Sequence, residues 1–152
     1  MNSDRKETTP TIVAVCKSST TGTKKVNVMH GTLLPNYGLL GDAHADNQTH
    51  KQLSLLSIES IRNMMDLGLD LKPGDFAENI TTEGIEFTDL TIGTRISLGN
   101  SSVVEVTQIG KECHSPCEIG RQAGHCIMPT EGIFCKVLEG GKISVGDKLT
   151  VI

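Results

Sequence analysis

Within Gly110-Lys111-Glu112-Cys113-His114-Ser115-Pro116-Cys117, two thiols, an imidazole and a lysine follow directly on an apolar, strand-like run. A thiolate is the reactive and metal-binding form of cysteine, and a neighbouring Lys or protonated His lowers the thiol pKa toward neutrality. Cys113 and Cys117 are therefore the candidate catalytic thiols, with His114 between them. Lys111 and Arg121 flank them in a chain of net charge −4, and a cation in that position can bind a phosphate or polarise a thiolate. Cys16 and Cys135 sit in apolar runs and read as small core hydrophobes, whereas Cys126, beside His125, fits either role.

These groups need a scaffold, and 152 residues suffice for one domain with a core of its own. Residues 1–10 are polar and read as a flexible tail, leaving 11–152 as the domain. That tail has no apolar segment of the kind that directs secretion, and no run in the chain is long enough to span a membrane. A cytoplasmic location is expected. Five cysteines, an odd number with irregular spacing, argue for reduced thiols rather than a disulfide framework. No basic run is interleaved with aromatics, so no nucleic-acid partner is expected.

The elements read mostly as strands. Thr11 to Cys16 and Lys25 to Met29, where Val26 and Val28 alternate with polar neighbours, suggest a hairpin. From His30 to His50 no periodicity is sustained, which predicts a long, functionally suggestive loop. Lys51 to Leu56 reads as a strand, and Ser57 caps a helix with Ile58, Ile61, Met64 and Met65 on one face before Gly68. Ile92-Gly93-Thr94-Arg95-Ile96-Ser97-Leu98 and Val145-Gly146-Asp147-Lys148-Leu149-Thr150-Val151 share one pattern, a glycine turn feeding an alternating strand, which suggests equivalent positions in one curved sheet. The first leads through Gly99-Asn100 into a strand over Ser102 to Ile109. Thr130 to Glu139 has apolar residues at helical spacing and predicts a second helix. Many short strands, glycine turns and no regular βαβ alternation predict a mainly β fold, a small closed or partly open barrel with one or two short helices.

Three blocks then point to one family: Gly38-Leu39-Leu40-Gly41-Asp42-Ala43-His44-Ala45, Gln52-Leu53-Ser54-Leu55-Leu56-Ser57, and Pro73-Gly74-Asp75-Phe76-Ala77-Glu78-Asn79-Ile80. With Ile92-Gly93-Thr94-Arg95, the run Glu105-Val106-Thr107-Gln108 leading to Cys113, and the closing Gly146-Asp147 strand, the chain resembles a stand-alone member of the MOSC domain family over roughly Thr11 to Ile152. The resemblance implies a β-barrel like that of the pyruvate kinase barrel domain and the handling of sulfur or of the molybdenum–molybdopterin cofactor through a cysteine after the Val-Thr-Gln strand. That position is Cys113; relatives with a paired-cysteine motif, in which the second thiol ligates molybdenum, make Cys117 its rival. The implied cofactor-binding set is Asp42, His44, Asp75, Glu78 and Asn79, joined by Lys111, His114 and Arg121. Asp42, Asp75 and Asn79 also suit turn-stabilising bonds to the backbone. One departure is Ala77, where the family usually has glycine.

Three functions remain open on the residues. The thiol segment carries sulfur as a persulfide or ligates molybdenum as a soft donor, with the cofactor or its biosynthetic and sulfur-donor proteins as partners. Alternatively, Cys113, Cys117 and Cys126 with His114 or His125 hold a structural zinc. Or the domain reduces N-hydroxylated compounds, as some relatives are associated with doing, using an external electron donor. No flavin, NAD or pyridoxal phosphate is expected, and whether the chain turns over a substrate is left open.

Overall fold

The computed structural model describes residues 9–20, 23–110 and 132–152. In chain order its elements are β1 (Thr11–Lys17), β2 (Val26–Asn27), β3 (His30–Leu34), β4 (Gly38–Leu39), β5 (Leu53–Ser57), α1 (Ile58–Met65), β6 (Ile80–Glu83), a 3-10 turn (Phe87–Asp89), β7 (Arg95–Leu98), β8 (Ser102–Ile109), β9 (Ile133–Glu139), β10 (Gly141–Ser144) and β11 (Leu149–Val151). The larger sheet runs β11-β7-β8-β9-β5-β6-β1-β2 and the smaller β10-β3-β4. The described residues form a mainly β fold with one short helix, a curled sheet in the manner of a partly open barrel. The curl brings Thr11 to an isolated bridge with Lys148, and Ile12 N–H donates to Asp147 O at 2.8 Å.

The two glycine-turn motifs occupy adjacent antiparallel strands, with Leu149 opposite Leu98 and Val151 opposite Ile96. Their turns grip other strands in the same way. Gly93 N–H donates to Val106 O while Val106 N–H donates to Thr94 O; Gly146 N–H donates to Ile12 O while Ile12 N–H donates to Asp147 O. Gly93 and Gly146 have φ of +96° and +95°, the left-handed region in which glycine carries no Cβ penalty.

Inside the curl, Ile12, Val15, Leu53, Leu55, Ile80, Ile96, Val104, Val106, Cys135 and Val137 belong to one core. A second cluster, outside it, joins Leu56 and Phe134 to Ile58, Ile61 and Met64 of α1. β5 is therefore buried on both faces, as its unbroken Leu-rich run requires. Ser57 caps α1 by accepting Ser60 N–H at 3.1 Å, worth about 1 kcal/mol. Ile58, Ile61 and Met64 are buried, each stabilising by roughly 1.5–3 kcal/mol, while Met65 is exposed.

Two expectations are corrected. The predicted helix over Thr130 to Glu139 is strand β9, with residues 130 and 131 outside the described residues. Ile133, Cys135 and Val137 face the inner core and Phe134 the outer one, so the segment reads with period two once it is inserted between β8 and β5. The predicted loop from His30 to His50 contains β3 and β4, ordered by pairing with β10. As expected, βαβ alternation is not regular among the described residues: one such unit occurs, with β5 and β6 parallel and connected through α1.

Candidate functional site

At the ends of β1 and β6 the sheet gives way to a buried polar cluster drawn from four distant segments. Asp42 is its centre. Its carboxylate accepts Ser18 N–H at 3.0 Å, His44 N–H at 3.0 Å and Lys25 Nζ at 2.8 Å. The Lys25 and Asp42 side chains are both fully removed from solvent. Burial pushes the Asp42 carboxyl up, but the bonds from Lys25 and Ser18 and the adjacent ammonium charge outweigh it and hold the group below its usual range. Lys25 Nζ also lies 3.1 Å from His44 Nδ1, and the imidazole is 32% exposed.

Lys25 joins this group to the Pro73-Gly74-Asp75-Phe76-Ala77-Glu78-Asn79 segment, because its N–H donates to Gly74 O at 2.8 Å. That segment is held from within by Glu78, which is fully buried. Gly74 N–H and the Thr81 hydroxyl donate to Oε2 at 3.0 and 2.8 Å, and Phe76 N–H donates to Oε1 at 3.2 Å. Burial nevertheless dominates and raises the Glu78 carboxyl above its ordinary value. Asn79 ties β5 to β1: its Oδ1 accepts Ser54 N–H at 3.0 Å and its Nδ2 donates to Cys16 O at 3.1 Å. Asp75 closes a turn, accepting Lys72 N–H at 3.0 Å, with the Lys72 ammonium at 3.1 Å.

Asp42, His44, Glu78 and Asn79 thus belong to one buried network, and Asp75 sits in the same turn as Glu78. Lys111, Cys113, His114, Cys117 and Arg121 lie outside the described residues, as do Cys126 and His125 of the zinc alternative. Among the described residues no group of three or more His, Cys, Asp or Glu can hold a metal ion. The root of the thiol segment is described. Gly110 N–H donates to Gly132 O at 2.7 Å, Ile109 pairs with Ile133, and Gln108 Nε2 donates to Gly110 O at 2.8 Å. His50 reaches this neck, its Nε2 2.9 Å from Gln108 Oε1, and the Thr107 hydroxyl donates to His50 O at 2.6 Å.

Lys25 and His50 escape sequence reasoning. Alternation over Lys25 to Met29 assigns Val26 inward, yet Val26 is 68% exposed and Lys25 is 2% exposed. β2 is an edge strand, and the buried carboxylate of Asp42 draws the ammonium in; no local signal separates Lys25 from the solvated Lys24. Cys16 and Cys135 are buried free thiols. Burial, followed by the nearby Glu78, pushes the Cys16 thiol up to about 12, so neither reactivity nor ligation is expected of it.

Comparison with known proteins agrees with this architecture. The profile of the MOSC domain matches residues 29–150. The crystal structure of the YuaD protein from Bacillus subtilis superposes with a TM-score of 0.78 at 18% identity, covering 93% of this chain and 94% of that one. YiiM from Geobacillus stearothermophilus gives 0.63 at 20% identity, over 95% of this chain and 73% of that one. YiiM from Escherichia coli gives 0.62 at 18%, over 93% and 69%. At these identities the solved structures establish the fold alone. No curated protein sequence matches the chain.

Proposed function

The chain belongs to the MOSC domain family, and from that premise we propose that it binds the molybdenum–molybdopterin cofactor, with Cys113 or Cys117 as the thiol that carries sulfur or ligates the metal. The observation that carries this reading is the convergence of Asp42 and His44 with Lys25, Glu78 and Asn79 in one buried network that leaves the imidazole part-exposed. The donor chemistry suits the group. Soft thiolates in the 111–131 segment match molybdenum, and Lys111 and Arg121 in that segment supply charge for a phosphate. His44 would meet the ligand directly. Asp42, Asp75, Glu78 and Asn79, which have partners inside the protein, would set the backbone that surrounds it.

When bound, the group supplies a redox-active metal with exchangeable oxygen and sulfur ligands. The chain's own part in sulfur transfer is a thiolate at Cys113 or Cys117. That thiolate attacks the outer sulfur of a persulfide on a donor protein; the donor departs as its thiolate and the cysteine keeps the sulfur as a persulfide. His114 and Lys111, close by in sequence, would favour the attacking form, since an adjacent cation stabilises a thiolate. Cofactor-biosynthetic and sulfur-donor proteins are the partners this chemistry calls for.

Native mass spectrometry with elemental analysis on protein from its source tests the reading. The expected result is molybdenum with a pterin, or a gain of about 32 Da for one sulfur atom on the thiol segment, lost in either Cys113→Ser or Cys117→Ser. Stoichiometric zinc with neither signal would replace it with the structural-zinc reading. Molybdenum and pterin retained together with turnover of an N-hydroxylated compound would extend it to a reductase.

A further inference from the structure

We infer that Gln108 is a positioning residue: with His50 it forms a joint that fixes the Gly110 peptide, the point at which the chain enters the thiol segment. The joint begins with a break in the ladder between β8 and β9. Val106 pairs with Cys135 and Gln108 with Phe134, so Thr107 is one residue more than β9 can match. Strict alternation would send Gln108 into the core behind Val104 and Val106; the extra residue re-aims it, as a bulge does.

The re-aimed amide has one orientation open to it. The carbonyl of Gly110 can only accept, so Gln108 Nε2 is the atom that meets it, at 2.8 Å. Oε1 then faces His50 Nε2 at 2.9 Å and can itself only accept, so His50 carries a proton on Nε2 whether the ring is neutral or charged. Thr107 secures the same neighbour through the backbone, its hydroxyl donating to His50 O at 2.6 Å and lying 3.2 Å from Phe134 O.

Gly110 is where such a hold matters. Its φ of +79° is open to glycine, which brings no side chain of its own to anchor the turn. Its N–H is taken by Gly132 O at 2.7 Å and its carbonyl by Gln108, so both of its backbone groups are fixed. Because a peptide unit is planar, fixing that carbonyl also sets the amide that follows it. The bond between His50 and Gln108 is exposed and adds little net stability, since water competes for both groups. Orientation is what the joint contributes. This deepens the proposed function and rests on it for what Cys113 and Cys117 do.

Long-range 1H–15N correlation of the histidine rings in the unmodified protein tests the joint without reference to function. His50 Nε2 should be protonated at pH 7; an unprotonated Nε2 would reverse the Gln108 amide, take the donor away from the Gly110 carbonyl and overturn the inference. Timed iodoacetamide labelling with peptide mapping then tests positioning. Gln108→Glu keeps the shape and the acceptor for His50 but loses the N–H donor to Gly110, and Gln108→Leu loses both. Each should slow the faster of Cys113 and Cys117 on the order of threefold at pH 7, the change that a thiol pKa higher by about 0.5 produces, with Cys16 still protected and the urea midpoint close to the parent's. His50→Ala, which loosens the same amide from its exposed side, should give a smaller fall and no further fall when combined with Gln108→Leu. Parent-like labelling in Gln108→Glu would leave Gln108 a packing role only, and slowing that appears together with labelling of Cys16 would place the effect in general loosening; either result overturns the inference. If neither thiol of the unmodified protein outpaces a free thiol, the proposed function loses its attacking group, while the His50 ring still decides the joint.

Discussion

Gly74 lies so close to the carbonyl of Lys25 that no methyl group fits between them, while its own carbonyl receives the Lys25 N–H at 2.8 Å. Its φ of +94° is itself unfavourable to any side chain. Gly68, with φ of +92°, has the same conformation but open space around it. The two glycines therefore separate strain from contact. Gly68→Ala should cost roughly 1–2 kcal/mol and Gly74→Ala on the order of 3 kcal/mol or more, read as urea midpoints. Equal costs would mean that the Gly74 contact with Lys25 contributes nothing.

Acid should reveal two carboxylates with opposite signs. Asp42 is held below its usual value, so the stability it contributes is complete above the unfolded value near ~3.9 and is lost as pH falls through the lower folded one. Glu78 is raised by burial, so its contribution is greatest below about 4.3 and is lost as pH rises through the folded value. In unfolding free energies measured from pH 3 to 7, Glu78→Gln should abolish the decline that begins above about pH 4.3. Asp42→Asn should instead remove the loss on the most acidic limb. Identical profiles for both variants and the parent would refute the assignment.

Ala77 has a φ of +62°, which explains the glycine that its family resemblance leads one to expect at this position. An L-residue pays about 1–2 kcal/mol for the left-handed conformation, part of which glycine gives back as unfolded-state entropy. Ala77→Gly should raise stability by roughly 0.5–1 kcal/mol without altering Cys16 protection. Ala77→Val should lower it. Thermal melts of the pair decide the sign.

Alkylation should divide the cysteines by location. Cys16, raised to about 12, and the fully buried Cys135, raised further, should resist iodoacetamide at pH 8 until the protein unfolds. Cys113 or Cys117 should label faster than a free thiol of pKa about 8.5. Peptide mapping after timed labelling distinguishes them, and labelling of Cys16 in the native protein would contradict its buried placement.

Much of the fold was legible because period-two alternation and glycine turns are local signals. Ser57 with the stripe Ile58, Ile61 and Met64 gave the helix, and the twin glycine-turn motifs gave neighbouring strands. β9 was not legible, since Ile133, Phe134, Val137 and Leu138 satisfy a helical stripe as well as an alternating one, and only the slot between β5 and β8 selects the strand. The site divides similarly. Asp42, His44, Glu78 and Asn79 lie in recognisable blocks, but Lys25 acquires meaning only from a carboxylate 17 residues away. A buried charge is announced by its partner, not by its neighbours in sequence.

The seam at which Thr11 meets Lys148 has a consequence for how the chain acquires its shape. Gly146, Asp147 and Leu149 engage Pro10 and Ile12 through backbone bonds that span nearly the whole chain, so closure cannot begin until the last strand is available. During synthesis, β1 must wait on β6 and β2 alone, with its remaining backbone groups open to other chains. The interval between translation of Val15 and of Leu149 is thus when the protein is most exposed to aggregation, and a ribosome stalled in that interval would display an unclosed sheet.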